Sequence, residues 1–142
     1  MGGTMNKPHT LRAALEAALP ELRHNPDRLT MWTEDGQLAV RPGALHFTLH
    51  YTLKLVVIEY GRGIESILLP LLDWIAVNEP PLLQNPEARA DGLSYRSEII
   101  SHSAEDIEIT VKLSERVKAV KDAAGGFAFE YLGEPEDPPG MF

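Results

Sequence analysis

The side chains able to do chemistry in this sequence are five histidines, a carboxylate run at Glu105, Asp106 and Glu108, and two tryptophans, Trp32 and Trp74. His46 and His50 have the i, i+4 spacing that would let two imidazoles on one helical turn share a zinc ion. The residues around them alternate apolar and polar instead, which is strand patterning. On a strand the two rings lie on one face about 13 Å apart, too far for bonds of about 2.1 Å to one ion. The expectation is a polar sheet face, not a metal pair. His9, His24 and His102 stand near expected element ends with no second ligand in motif spacing. Glu105, Asp106 and Glu108 lack an Asp-x-Asp-x-Asp-Gly loop, so a solvated turn is expected there rather than a cation site. Gly61-Arg62-Gly63 is too short to cradle a phosphate, and HExxH, GxGxxG, GxxxxGK[ST] and GxSxG do not occur. Nothing assembles a nucleophile, a base and an oxyanion hole, so the expectation is a non-enzyme with no cofactor and no metal.

The elements that would carry these side chains read as an α+β chain. Leu11, Ala14, Leu15, Ala18, Leu19 and Leu22 line one helical face, with Pro8 in the first turn and Pro20 ending or kinking the helix near Ala18. Residues 29–33 and 38–40 flank Glu34-Asp35-Gly36-Gln37, whose Asp-Gly pair signals a hairpin turn. Residues 45–58 give the clearest period-2 stretch. Leu45, Phe47, Leu49, Tyr51, Leu53, Leu55 and Val57 point one way; His46, Thr48, His50, Thr52 and Lys54 point the other. Extended, that stretch spans roughly 46 Å, against five or six residues for a common strand, so it bends or projects beyond its own domain. From Val56 onward both faces are apolar, which places that end deeper in the core.

Ile64, Ile67, Leu68, Leu71, Leu72 and Ile75 mark a second helical face, with Trp74 and Val77 beside it and Pro70 expected to kink it. Residues 93–101 and 107–117 alternate as two further strands around a polar turn at Ser103-Ala104-Glu105-Asp106, and residues 127–132 form a short candidate strand. The order is α-β-β-α-β-β: a mixed or antiparallel sheet with one long strand or hairpin and two helices packed on it. Residues 6–132 make a single domain, and 133–142, rich in Pro, Gly and acid, a flexible tail.

Composition narrows the function classes. Among 142 residues there are 13 Lys+Arg and 21 Asp+Glu, a net charge of −8, and no cysteine. The absence of cysteine excludes a disulfide scaffold and a Cys nucleophile. Residues 1–62 hold seven basic and six acidic side chains, 7 − 6 = +1; residues 63–142 hold six and fifteen, 6 − 15 = −9. That balance supplies no basic footprint for a phosphate backbone, so sequence-specific nucleic acid is not an expected ligand. No apolar run reaches the length of about 20 residues that spans a bilayer, and MGGTMNKPHT has no apolar h-region, so neither membrane nor secretion is expected.

Taken in order, Lys7-Pro8, Leu11-Arg12, Ala14-Leu15, Asn25-Pro26-Asp27, Tyr51-Thr52-Leu53, Pro70, Leu72, Trp74, Asn78, Pro80, Gly92, Asp106-Ile107, Leu113 and Glu115-Arg116 form a pattern. It resembles the tail completion protein R family of P2-like contractile-tailed phages, over residues 6–118. The resemblance implies a structural virion protein at the head-proximal end of the tail, present in the host cytoplasm before assembly. It also implies likeness to tail terminators, whose subunits form hexameric rings. The implied partners are further copies of the chain, the tail tube or sheath protein, and the head-neck connector. Ring closure would bury strand edges that a monomer leaves unpaired.

The candidate contact residues are the polar strand face, His46, Thr48, His50, Thr52 and Lys54, with Trp32 and the Glu115–Arg116 pair. The sheet edges of residues 45–60 and 93–117 and the acidic tail are the expected contact surfaces. Two other readings stand beside this one: a small adaptor domain gripping a peptide along a strand edge, and a carboxylate–metal hydrolase built on Glu105, Asp106 and Glu108.

Overall fold

The structure is a computed structural model and describes residues 6–43 and 45–133. Its first helix, α1 (Lys7–Ala18), is capped by the Asn6 side chain, which accepts from the His9 amide at 3.2 Å, and Pro8 occupies the first turn, where it sacrifices no hydrogen bond. Leu19 adopts an extended conformation before Pro20, so the helix stops at Ala18 and α2 (Pro20–His24) restarts with the proline at its own first turn. Leu11, Leu15, Leu19 and Leu22 are all buried, so the apolar stripe survives the break.

After a 3₁₀ turn at Pro26–Arg28 come β1 (Leu29–Val40) and β2 (Phe47–Tyr60), then α3 (Ile64–Asn78), α4 (Pro80–Gln84) and α5 (Pro86–Gly92). The chain continues through β3 (Leu93–Ser101), β4 (Ala104–Lys121) and β5 (Phe127–Leu132). The strands form one antiparallel sheet, ordered β1-β2-β4-β3, with β5 also paired to β4. The α+β class with helices on an antiparallel sheet is therefore as the patterning implies, and two strands are long: β2 has 14 residues and β4 has 18.

The inner face of the sheet carries Leu29 from β1, Leu53, Leu55 and Val57 from β2, and Ile107, Ile109, Val111 and Leu113 from β4, all buried. Across it lie α1 and α3, the latter contributing Ile67, Leu71, Trp74 and Ile75 at helical spacing. Trp74 is core, and its indole N–H donates to Thr10 Oγ1 at 3.2 Å. The helix runs continuously through Pro70, while Leu72 and Val77, expected at or beside its buried face, are exposed.

Four local expectations are corrected. Glu34-Asp35-Gly36-Gln37 is no hairpin turn: β1 runs on past it, with Glu34 opposite Thr52 and Gln37 opposite His50. Two residues on β1 thus face the single Tyr51 on β2, a β-bulge, and Asp35 supplies the positive φ of 56°. Both halves of β1 find a partner on the same long β2, which a three-residue returning strand could not match. The chain reverses instead near Pro42-Gly43, where Gly43 takes φ 79°. The apolar end of β2 is buried on one face only, since Ile58 is exposed while Val57 and Tyr60 are buried. The polar turn after β3 is shorter than expected, because β4 already begins at Ala104. Finally, β2 and β4 are interior strands, so the free edges belong to β1, β3 and β5. The expected tail at 133–142 lies, beyond Gly133, outside the described residues.

Candidate subunit interface

Strand β4 is longer than either strand on its second edge. Pairing with β3 stops at Leu93–Val111, and pairing with β5 starts at Leu132–Arg116. Residues 112–115 are left without a strand neighbour on that side. The gap is closed by Glu79, the residue after α3. Its carboxylate accepts from the Ser114 amide at 3.0 Å and the Ser114 hydroxyl at 3.1 Å, and pairs with the Lys7 ammonium at 2.6 Å. A side chain thereby supplies the acceptors a strand would have offered. The same junction seats α1, because the Lys7 backbone amide donates to Glu115.

Glu115 was expected at the surface beside Arg116, and the structure corrects this. The period of two sends the pair to opposite faces: Glu115 lies on the inner face opposite Leu49 with only 7% of its surface exposed, and Arg116 lies on the outer face. Burial pushes the Glu115 carboxyl above its ordinary pKa, against the opposing pull of Lys7. The neighbouring Tyr51 hydroxyl, buried and without a hydrogen bond of regular geometry, is pushed upward too, first by burial and then by the Glu115 charge. These groups join elements; Glu115 is not available to a partner.

The other candidates share the outer face, where β1, β2 and β4 align in rows: Trp32 beside Lys54, Gln37 beside His50, Ala39 beside Thr48 and Thr48 beside Arg116. Trp32 is 41% exposed and donates to Glu34 Oε2 at 3.3 Å. Lys54 reaches Thr110 Oγ1 at 2.8 Å and Glu108 at 3.4 Å. His50 is exposed, and so is His46, whose Nδ1 accepts from the Ala119 amide at 3.3 Å. Thr52 is the exception: it is buried at the floor of a groove of about 600 Å³. The β1 bulge, with Asp35 and Gln37, forms one wall of that groove, and α4 and α5, with Asn85 and Asp91, form the other.

The carboxylates considered for a metal are otherwise engaged: Asp106 accepts from the Glu59 amide at 2.8 Å and Glu108 takes Lys54, while Glu105 lies on the inner face opposite Tyr60. Among the described residues no three His, Asp or Glu side chains gather as a metal site. No described helix is long and apolar enough to cross a membrane.

The sheet outreaches its helices. Beyond Glu115 the ends of β1, β2 and β4, with β5, make a four-stranded arm whose Leu38, Val40, Leu45, Phe127 and Phe129 are exposed. Residue reasoning foresaw a projecting strand but missed Lys7, Glu79 and the arm itself. Glu79 and Ser114 are 35 residues apart and Lys7 and Glu79 are 72 apart, so no local pattern signals them.

Comparison with known proteins agrees with this architecture in extent. The chain is 31% identical over 135 residues to the tail completion protein R of Escherichia phage P2, covering 94% of this chain and 86% of that relative. No solved structure matches the chain significantly. Residues 5–135 match the family of the P2 phage tail completion protein R (GpR), so the region that folds into the seamed sheet, its helices and its arm is the region the family shares. The chain belongs to the P2 phage tail completion protein R family, a family of structural components of phage tails.

Proposed function

We propose that this protein completes a contractile phage tail at its head-proximal end, capping the last tube or sheath ring and helping the tail join the head. The family match over almost the whole described fold is the observation that carries the reading. The work is geometric, with no bond made or broken. One surface of the chain meets the last ring of a growing polymer and another is offered outward, to a neck component or to a further copy of the chain. Closure of about six copies into a ring is part of the proposal, because free edges at β1 on one side and at β3 and β5 on the other suit heterologous contact between successive subunits.

The outer face, with Trp32, His46, Thr48, His50, Lys54 and Arg116, is the proposed contact surface; Thr52 and Glu115 are withdrawn from it by burial. The projecting arm supports this reading, since contiguous exposed apolar side chains mark association sites more often than free surface. The test is electron microscopy of tails assembled without this protein. Tails that fail to join heads or run to irregular length are the expected result. Regular tails that still join heads overturn the proposal.

A further inference from the structure

On the outer side of the arm, Ala39, Thr48, Arg116 and Leu132 form one row across four strands. Arg41, His46 and Lys118 surround the row, and together they line a groove of about 540 Å³. Among the described residues, neither Arg41 nor Lys118 has a carboxylate within ion-pairing distance, and the Arg116 guanidinium donates only to the Gly133 carbonyl. Three cations thus sit together with no ion pair among them, the nearest carboxylate in register being Glu130 opposite Lys118, although the molecule as a whole carries −8.

The chain itself supplies the complementary charge at this place. Residues 134–142 follow Gly133 and contain Glu134, Glu136 and Asp137 with no basic residue. We propose that this C-terminal segment docks in cis across the arm's outer face, its three carboxylates set against Arg41, Arg116 and Lys118. The reach is sufficient. Nine residues extend up to about 30 Å, while three strand spacings, from β5 across to β1, measure about 14 Å. The segment starts at this row, because the Arg116 guanidinium donates to the Gly133 carbonyl. Pro135, Pro138 and Pro139 favour an extended course and lower the entropy lost on docking. The inference does not depend on the proposed function.

The test uses the absence of cysteine from the chain. One full-length variant carries Asp137→Cys with Thr48→Cys, in the groove; the control carries Asp137→Cys with Phe129→Cys, exposed on the opposite face of the arm at a comparable distance from Gly133. In dilute solution under a mild oxidant, the groove pair should close within the monomer about tenfold faster than the control. High salt, or Glu134→Gln with Glu136→Gln, should erase most of that advantage. Equal closure rates for the two pairs overturn the proposal, and so does a disulfide that forms only between two chains. A salt-insensitive preference overturns its electrostatic basis. Equal melting temperatures of the reduced variants show that the comparison is made between folded proteins.

Discussion

Glu79 accepts from three donors on two other elements, so its removal should be felt well beyond its own turn. Glu79→Ala removes the acceptor of the Ser114 amide and hydroxyl and one partner of the Lys7 ammonium in a site that is about nine-tenths buried. Breaking one side of a buried, hydrogen-bonded ion pair costs about 3–5 kcal/mol, and urea unfolding should show a loss of that order. Glu79→Gln keeps an acceptor and should lose less. Glu115 gives a different signature, because its folded pKa lies above the ordinary 4.5. Its contribution to stability is therefore fully present below the unfolded pKa and is lost as pH rises through the folded value. The stability of the protein relative to Glu115→Gln should accordingly fall as the pH is raised from below 4.5, with unfolding midpoints across a pH series as the readout. A gap that stays constant with pH would mean that Glu115 titrates alike folded and unfolded.

The elements differ in how they are held. Ile109 on β4 is 1% exposed at the centre of the core, so Ile109→Ala should cost about 2–5 kcal/mol through lost burial and the cavity left behind. By contrast, β5 brings no fully buried side chain: Phe127 is 67% exposed and Phe129 52%. A chain ended after Lys121 should still unfold cooperatively, with a smaller drop in melting temperature than Ile109→Ala. The ranking separates a core element from an appended one. The helices and the long strands are legible in the sequence because their signal is local. Leu11, Leu15 and Leu22 repeat at helical spacing, and Leu53, Leu55 and Val57 repeat at two. The bulge at Asp35-Gly36 is not legible, since Asp-Gly permits positive φ in a turn and in a bulge alike. Only the presence of the long β2 alongside both halves of β1 chooses between them. Glu115 is misread for a related reason: its charge suggests solvent, and the buried site that receives it, with the Lys7 amide of α1 as donor, is built from α1 and β2.

At the scale of the molecule, the outer face tests whether assembly and folding are separable. Trp32 lies on an exposed edge strand and makes one weak polar contact, so Trp32→Glu should change stability by only about 0.5 kcal/mol. If the face is the assembly surface, the same change should reduce incorporation of the protein into tails, measured by quantifying it in purified particles. Full incorporation of a normally folded Trp32→Glu protein would remove Trp32 from the interface. The net charge of −8 acquires a layout as well. Three of the carboxylates fall within residues 134–142, and an unpaired basic patch lies beside the point where that segment begins. The sequence by itself determined the α+β order, the two apolar helical stripes and the period-2 strands, because helix and strand periodicity are properties of neighbouring residues. It also carries the family pattern, spread along the chain as ordered short matches. Tertiary structure alone decided that β2 and β4 are interior, that Glu79 seals the seam beside Ser114, and that Glu115 is buried while Arg116 is exposed. Each of these depends on which distant strand supplies or withholds a hydrogen-bond partner, and the sequence near a residue does not encode that.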